Sequence, residues 1–260
     1  MDLQHYKIIA DLRALLAYHH TMGIEGYPGD AGSFPLVEKK GEAVTEVKSP
    51  PQQKKSVSVV SETLEDIGAE VNGCRSCELY MQRLVPVPGR GTSKARLLIV
   101  GGWLTVPESG SHPPGLIFGL EEDMMLSRML EAIHLAPADV YVTNILKCGL
   151  PVSAQPVAAN IHCCLSYLRR QITAIAPELI CSMGTVATRA LLDMPQSLSQ
   201  LRGRFHQYTA LDGRQIPLIP TYHPSYLLQA IEMKTETWKD LQLIEKKLAG
   251  QDTMPIIPSK

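Results

Sequence analysis

The chain has 260 residues, a formal charge of −1 at pH 7 and 45% hydrophobic residues. That length suits one α/β domain with an extension or two small domains, with enough apolar surface to bury a core. Near-neutral charge excludes a globally basic nucleic-acid binder, so any DNA contact has to come from local patches. No apolar run is long enough for a membrane span and no charged-then-apolar leader opens the chain. With six cysteines in such a chain, we expect a cytoplasmic protein without membrane association, whose cysteines bind metal or lie buried.

Residues 1–23 are predicted to form an N-terminal helix, with Ile8, Ile9, Leu12, Leu15 and Leu16 at helical spacing and Gly23 as a stop. Its expected role is to dock a protein partner. Residues 24–57 are rich in Gly, Pro, Lys and Glu and read as a flexible linker. The globular part is expected over 58–250, with 251–260 as a loose tail. A short helix at about 61–71 precedes Gly73-Cys74-Arg75-Ser76-Cys77.

Strand and helix then alternate. Residues 96–101 read as a buried strand. Glu121, Glu122 and Asp123 open a helix whose inner face is Leu126, Met129, Leu130 and Ile133. Residues 140–146 form a second strand, and Pro156 starts a long helix with Val157, Ile161, Cys164, Leu165, Leu168 and Ile172 on one face. A third strand covers 179–183, and Gly184-Thr185 turns into another helix. The apolar run 216–219 makes a fourth strand ending at His223, and a helix carrying Trp238, Leu241 and Leu248 closes the domain. Strands separated by helices predict a three-layer α/β fold with a central four-stranded, mainly parallel sheet flanked by helices. Pro224 forces His223 out of helical geometry and sets its imidazole at a strand end, where open α/β sheets place chemistry.

Cys74 and Cys77 form a C-x2-C pair on a loop, Cys148 follows the second strand, and Cys164 lies on the long helix. One close pair with two dispersed cysteines suits an iron–sulfur cluster as well as zinc, and spacing does not choose between them. Cys163 points elsewhere on the helix, and Cys181 reads as core.

The stretches C-R-S-C at 74–77, L-L-I-V-G at 97–101, Y-V-T-N-I-L-K-C at 141–148, C-L-S-Y-L at 164–168, P-E-L-I-C-S-M-G at 177–184, L-R-G at 201–203 and T-Y-H-P-S-Y-L-L at 221–228 together resemble the iron–sulfur (family 4-type) uracil-DNA glycosylases. The likeness runs from about residue 70 to 248. It implies the uracil-DNA glycosylase-like fold and a [4Fe-4S] cluster on Cys74, Cys77, Cys148 and Cys164, with zinc as the alternative. It also implies hydrolysis of the N-glycosidic bond of flipped-out uracil in DNA, by a monomer acting in base excision repair. The alternative function is a catalytically weak or inactive DNA-binding relative serving repair or replication.

By the same resemblance His223 stabilises the leaving uracil at O2, Asn144 reads the base edge and Phe118 stacks on the base. The family carries an acid just after the first strand, where this chain reads Gly101-Gly102-Trp103-Leu104-Thr105. Gly102 thus occupies the acid's place at the pocket, and Glu108, Glu121 or Asp123 could replace the lost acid from a neighbouring position. For DNA contact, the sequence offers Arg202, Gly203 and Arg204 to phosphates, and Ser225, Tyr226 and Leu227 to the groove beside the vacated base.

Overall fold

Residues 62–107, 113–251 and 255–257 are described by the computed structural model, within a unit spanning 57–260. The expected N-terminal helix and linker, and Glu108, lie outside the described residues. The first described helix, α1 (Leu64–Gly73), starts where Thr63 and Asp66 cap it reciprocally: the Asp66 N–H donates to Thr63 Oγ1 at 3.1 Å, and the Thr63 N–H to Asp66 Oδ2 at 3.1 Å. Arg83 closes the other end by donating to the carbonyls of Val71 and Asn72, both at 3.0 Å. Cys74 and Cys77 sit on the turn beyond.

Short strands β1 (Val85–Pro86) and β2 (Arg90–Gly91) lead into β3 (Leu97–Gly101), whose five residues are all buried. β4 (Thr105–Val106) and the helix α2 (Leu120–Ala132) follow, then β5 (Val140–Asn144) and β6 (Cys148–Pro151). The long helix α3 (Ala158–Ile175) and β7 (Leu179–Met183) come next, then α4 (Thr185–Leu192) and the single turn α5 (Leu198–Leu201). The chain ends with the hairpin β8 (Phe205–Thr209) and β9 (Gln215–Thr221), the short helix α6 (Pro224–Gln229), α7 (Lys234–Leu248) and β10 (Ile256–Ile257).

The four predicted strands stand side by side, all parallel, in the order β5-β3-β7-β9. Alternation along β3 decides what packs on each face. Leu97 and Ile99 face Leu126 and Ile133 of α2 and Leu241 and Ile244 of α7. Leu98 and Val100 face Leu165, Leu168 and Ile172 of α3 and Ala187 and Leu191 of α4. Helices therefore cover both faces, as a parallel sheet requires.

The sheet is wider than four strands. β2 joins β5 antiparallel at one edge, β8 joins β9 antiparallel at the other, and β10 adds to β8 in parallel. The segment expected as a loose tail thus contributes Ile256 and Ile257 to the sheet. The β8–β9 hairpin turns at Gly213, whose φ of 83° suits a residue without a Cβ. A second sheet, β1-β6-β4, is built beside the cysteine segment.

Ile180, fully buried in the α3 and α4 face, is a direct test of this packing. Ile180→Ala should lower the urea-unfolding stability by about 2–5 kcal/mol with an unchanged far-ultraviolet spectrum.

Candidate functional site

The chain leaves β3 toward β5 on one side and leaves β7 toward β9 on the other, so the sheet order reverses between β3 and β7. A crevice opens outside the carboxyl ends of such a strand pair. Here it is a cavity of about 250 Å³ lined by Gly102 and Trp103 after β3, Gly184, Thr185 and Val186 after β7, and His223 and Ser225 after β9. Backbone bonds pin its floor: the Ile145 and Leu146 N–H groups donate to the carbonyls of Gly101 and Gly102 at 2.9 and 3.0 Å, and the Gly184 N–H to Thr221 O at 2.9 Å. A larger groove of about 340 Å³ lies away from this floor, between α2 and α7.

Gly101 brings the predicted base-reading residues together. A Cβ on it would stand 2.3 Å from Phe118 Cε1 and 2.6 Å from Asn144 Oδ1, so only glycine fits. Phe118 is buried, and its ring centroid lies 4.6 Å from that of His223 at a tilt of 57°. Asn144 is fully buried. Its Nδ2 donates to the carbonyl of Ile117, while its Oδ1 has no hydrogen-bond partner. The structure thus spends one N–H of the amide on Ile117 and leaves its acceptor oxygen unpartnered. Ile117 is itself held, its N–H donating to Asp123 Oδ2 at 2.8 Å, with Arg90 3.5 Å from the other carboxylate oxygen.

His223 caps α6 in extended geometry, with φ −75° and ψ 144°, as the following proline requires. Its Nδ1 accepts from the Ser225 N–H at 3.2 Å and lies 2.8 Å from Ser225 Oγ. A backbone N–H can only donate, so Nδ1 is the acceptor and the neutral ring carries its proton on Nε2. Burial pulls the His223 pKa down from 6.5 to about 4, so the ring is neutral at physiological pH. The site thus offers one N–H donor and one amide acceptor beside an aromatic face.

Of the possible replacement acids, Asp123 is buried and bound to Ile117 and Arg90, and Glu121 is exposed on α2. The place of the acid is open, since a Cβ on Gly102 would lie 3.6 Å from Val186 Cβ, an ordinary contact. Trp103 both lines the cavity and packs against the cysteine cluster.

Cys148 and Cys164 are buried in one small core with Leu79, Leu146 and Leu150, and Cys77 packs onto it. Cys74 packs onto the adjoining cluster around Tyr167, one helical turn beyond Cys164 on α3. Burial first, then the neighbouring Cys164, with smaller contributions from Cys77 and Cys74, push the Cys148 thiol up to about 11. The four sulfurs therefore share one neighbourhood. Among the described residues, no three His, Cys, Asp or Glu side chains close around a single metal ion. Cys163 is exposed and Cys181 is fully buried in the sheet.

The residues offered to DNA divide. Arg202 turns inward: Nη1 is 2.7 Å from Glu236 Oε2, Nε is 3.0 Å from Asp240 Oδ2, and its side chain is 10% exposed. Its guanidinium also lies 5.4 Å from the Tyr222 ring centroid, and Tyr222 stands 5.2 Å from Tyr226. Gly203, at φ 75°, and Arg204 are exposed. Tyr226 is exposed, whereas Leu227 is buried and packs inward. The sequence gave no hint of Ile117 as the carbonyl that orients Asn144, nor of Val186 beside Gly102. The turn after the third strand was the only signal toward the latter.

The model of the uracil DNA glycosylase superfamily matches residues 88–242. The chain is 30% identical to the type-4 uracil-DNA glycosylase of Archaeoglobus fulgidus, over 70% of this chain and 92% of that protein. It is also 30% identical to the type-4 uracil-DNA glycosylase of Saccharolobus solfataricus, over 73% of this chain and 88% of that protein. A type-5 uracil-DNA glycosylase of Pyrobaculum aerophilum is 26% identical over 55% of this chain and 66% of that protein. With the match covering more than half its residues and a sheet whose switch point gathers Asn144, Phe118 and His223, the chain belongs to the uracil DNA glycosylase superfamily.

Proposed function

We propose that this protein is a monofunctional uracil-DNA glycosylase that hydrolyses the N-glycosidic bond of a flipped-out deoxyuridine. The observation that carries it is the pairing of a neutral histidine N–H with an unpartnered, buried amide oxygen at the switch point. A base reaches such a site only after leaving the duplex stack. Phe118 supplies the stacking face. Asn144 Oδ1 accepts the N3–H of uracil. When the C1′–N1 bond breaks, its electron pair moves onto the departing ring and charge builds on O2. His223 Nε2–H donates to that oxygen and lowers the barrier. Water then adds its oxygen to the sugar cation at C1′, and its released proton balances the uracil anion.

No side-chain carboxylate stands at Gly102, so the rate rests on stabilising the leaving group. The type-4 relatives and the shared neighbourhood of Cys74, Cys77, Cys148 and Cys164 support a [4Fe-4S] cluster on these four residues. Held by these four residues, such a cluster would staple together the turn after α1, β6 and α3. Toward DNA, Arg204 and Gly203 suit phosphate contact, and Tyr226, braced through Tyr222 by Arg202, suits the space beside the vacated base. No helix among the described residues is long and apolar enough to cross a membrane.

Three measurements check this reading. Cleavage of a uracil-containing oligonucleotide after alkali should be present in the wild type. It should fall by about 10²–10³ in His223→Ala, the range for loss of one preorganised donor, and it should also fall in Asn144→Ala. Absence of activity in the wild type on both single- and double-stranded DNA would refute the function. Because His223 is neutral above about pH 4, the single-turnover rate should stay level from about pH 8 down to 5 and fall only as pH approaches 4, where protonation displaces the Ser225 N–H from Nδ1. A titration near 6.5 would contradict the assigned state. Anaerobically purified protein should be brown and contain iron, and Cys164→Ser should lose both.

A further inference from the structure

Lys147 is among the largest fully buried side chains of the described residues, 1% exposed, and the reaction described above makes no use of it. Buried lysines are rare and normally meet a carboxylate. Here Nζ donates to three neutral oxygens instead: Thr143 Oγ1 at 2.7 Å, the Asn144 carbonyl at 2.7 Å and Gln171 Oε1 at 2.6 Å. Three donors thus meet three acceptors, the full capacity of an ammonium group. Gln171 is anchored in turn, its Nε2 donating to the Pro88 carbonyl. The result is a tripod spanning β5, α3 and the loop before β2, with one foot on the main chain of the residue that reads the base.

The same residue borders the cysteines. It precedes Cys148, and its backbone N–H is turned to the Cys164 sulfur. An isolated buried ammonium is costly, whereas the Cys164 sulfur beside it would be an anionic thiolate when holding iron. Resting on the uracil-excising reading above, we propose that Lys147 is a positioning residue that fixes Asn144 in its base-reading place and ties that place to the cysteine segment. The side chain holds Asn144 by its carbonyl, the Ile117 carbonyl holds it by Nδ2, and Oδ1 is left without a partner. Without the tripod the backbone at the end of β5 loses a hydrogen-bond donor, and Oδ1 drifts from the geometry that N3–H requires. A misplacement on the order of 1 Å in such a group costs about a hundredfold in rate.

The test uses the iron-loaded full-length protein and two variants. Lys147→Met keeps the length and apolar stem of the side chain and removes all three donors. Thr143→Val removes one acceptor with almost no change in shape, and serves should Lys147→Met not fold. Single-turnover uracil release, inhibition by free uracil, affinity for an abasic-site duplex and iron per chain are measured for each. We expect Lys147→Met to lose about a hundredfold in uracil release and to be inhibited less by free uracil. Its affinity for the abasic duplex, which has no base for Asn144 to read, should stay at the wild-type value. Thr143→Val should change in the same direction by a smaller factor. Iron should remain bound in Thr143→Val and be bound less firmly in Lys147→Met, read as faster bleaching of the brown colour under chelator. Unchanged uracil release and uracil inhibition in either variant overturns the proposal, as does an equal loss of abasic-duplex affinity, which would mark a general loss of structure. An inactive wild type would instead refute the glycosylase reading, so the two failures are distinct.

Discussion

The missing side chain at Gly101 sets the dimensions of the whole site. Only because this residue ends in hydrogen can the edge of Phe118 and the oxygen of Asn144 both lean over the end of β3, where any Cβ would stand 2.3 Å from one and 2.6 Å from the other. A site that must grip a flat base needs its aromatic face and its polar edge almost touching the main chain beneath them. The parallel strand supplies a floor that cannot move, since β3 is bonded along its length to β5 on one side and β7 on the other. Rigidity of the floor and closeness of the walls come from the same five residues.

Around that floor, orientation is imposed by groups that do not touch a base. Ile117 fixes the rotation of the Asn144 amide, Asp123 fixes Ile117, and the Ser225 N–H fixes the tautomer of His223. Each of these is a hydrogen bond in a wholly or partly buried place, where an alternative partner is scarce and a wrong orientation leaves a polar atom unsatisfied. Arg202 belongs to the same class. Its two ion pairs hold α7 against the segment before β8, and its face against Tyr222 steadies Tyr226 at the rim.

Much of this was legible in the sequence, for identifiable reasons. The four central strands are continuous apolar runs bounded by Gly, Pro or charge, and buried parallel strands look like that whatever surrounds them. His223 was legible because Pro224 restricts it, a local effect that tertiary context cannot undo. The edge strands were not legible: β8 reads Phe-His-Gln-Tyr-Thr with no clear alternation, and β10 is only Ile-Ile after a proline, so pairing with neighbours rather than their own pattern makes them strands. Arg202 and Leu227 looked like surface residues because a short basic turn and the start of a helix carry no sign of which side is covered. Their partners, Asp240 and Glu236 for Arg202, lie on α7, beyond the reach of any local pattern.

The orientation of Asn144 also bears on a problem of numbers in the cell. DNA presents an enormous excess of cytosine over its deaminated product, and the two bases differ at the edge this amide faces. Cytosine brings a bare ring nitrogen where uracil brings an N–H. An amide free to rotate could turn its NH2 toward that nitrogen and welcome the wrong base. In the function proposed, with the NH2 group held by the Ile117 carbonyl, cytosine would meet a lone pair facing a lone pair and would be turned away by repulsion rather than by any lack of room.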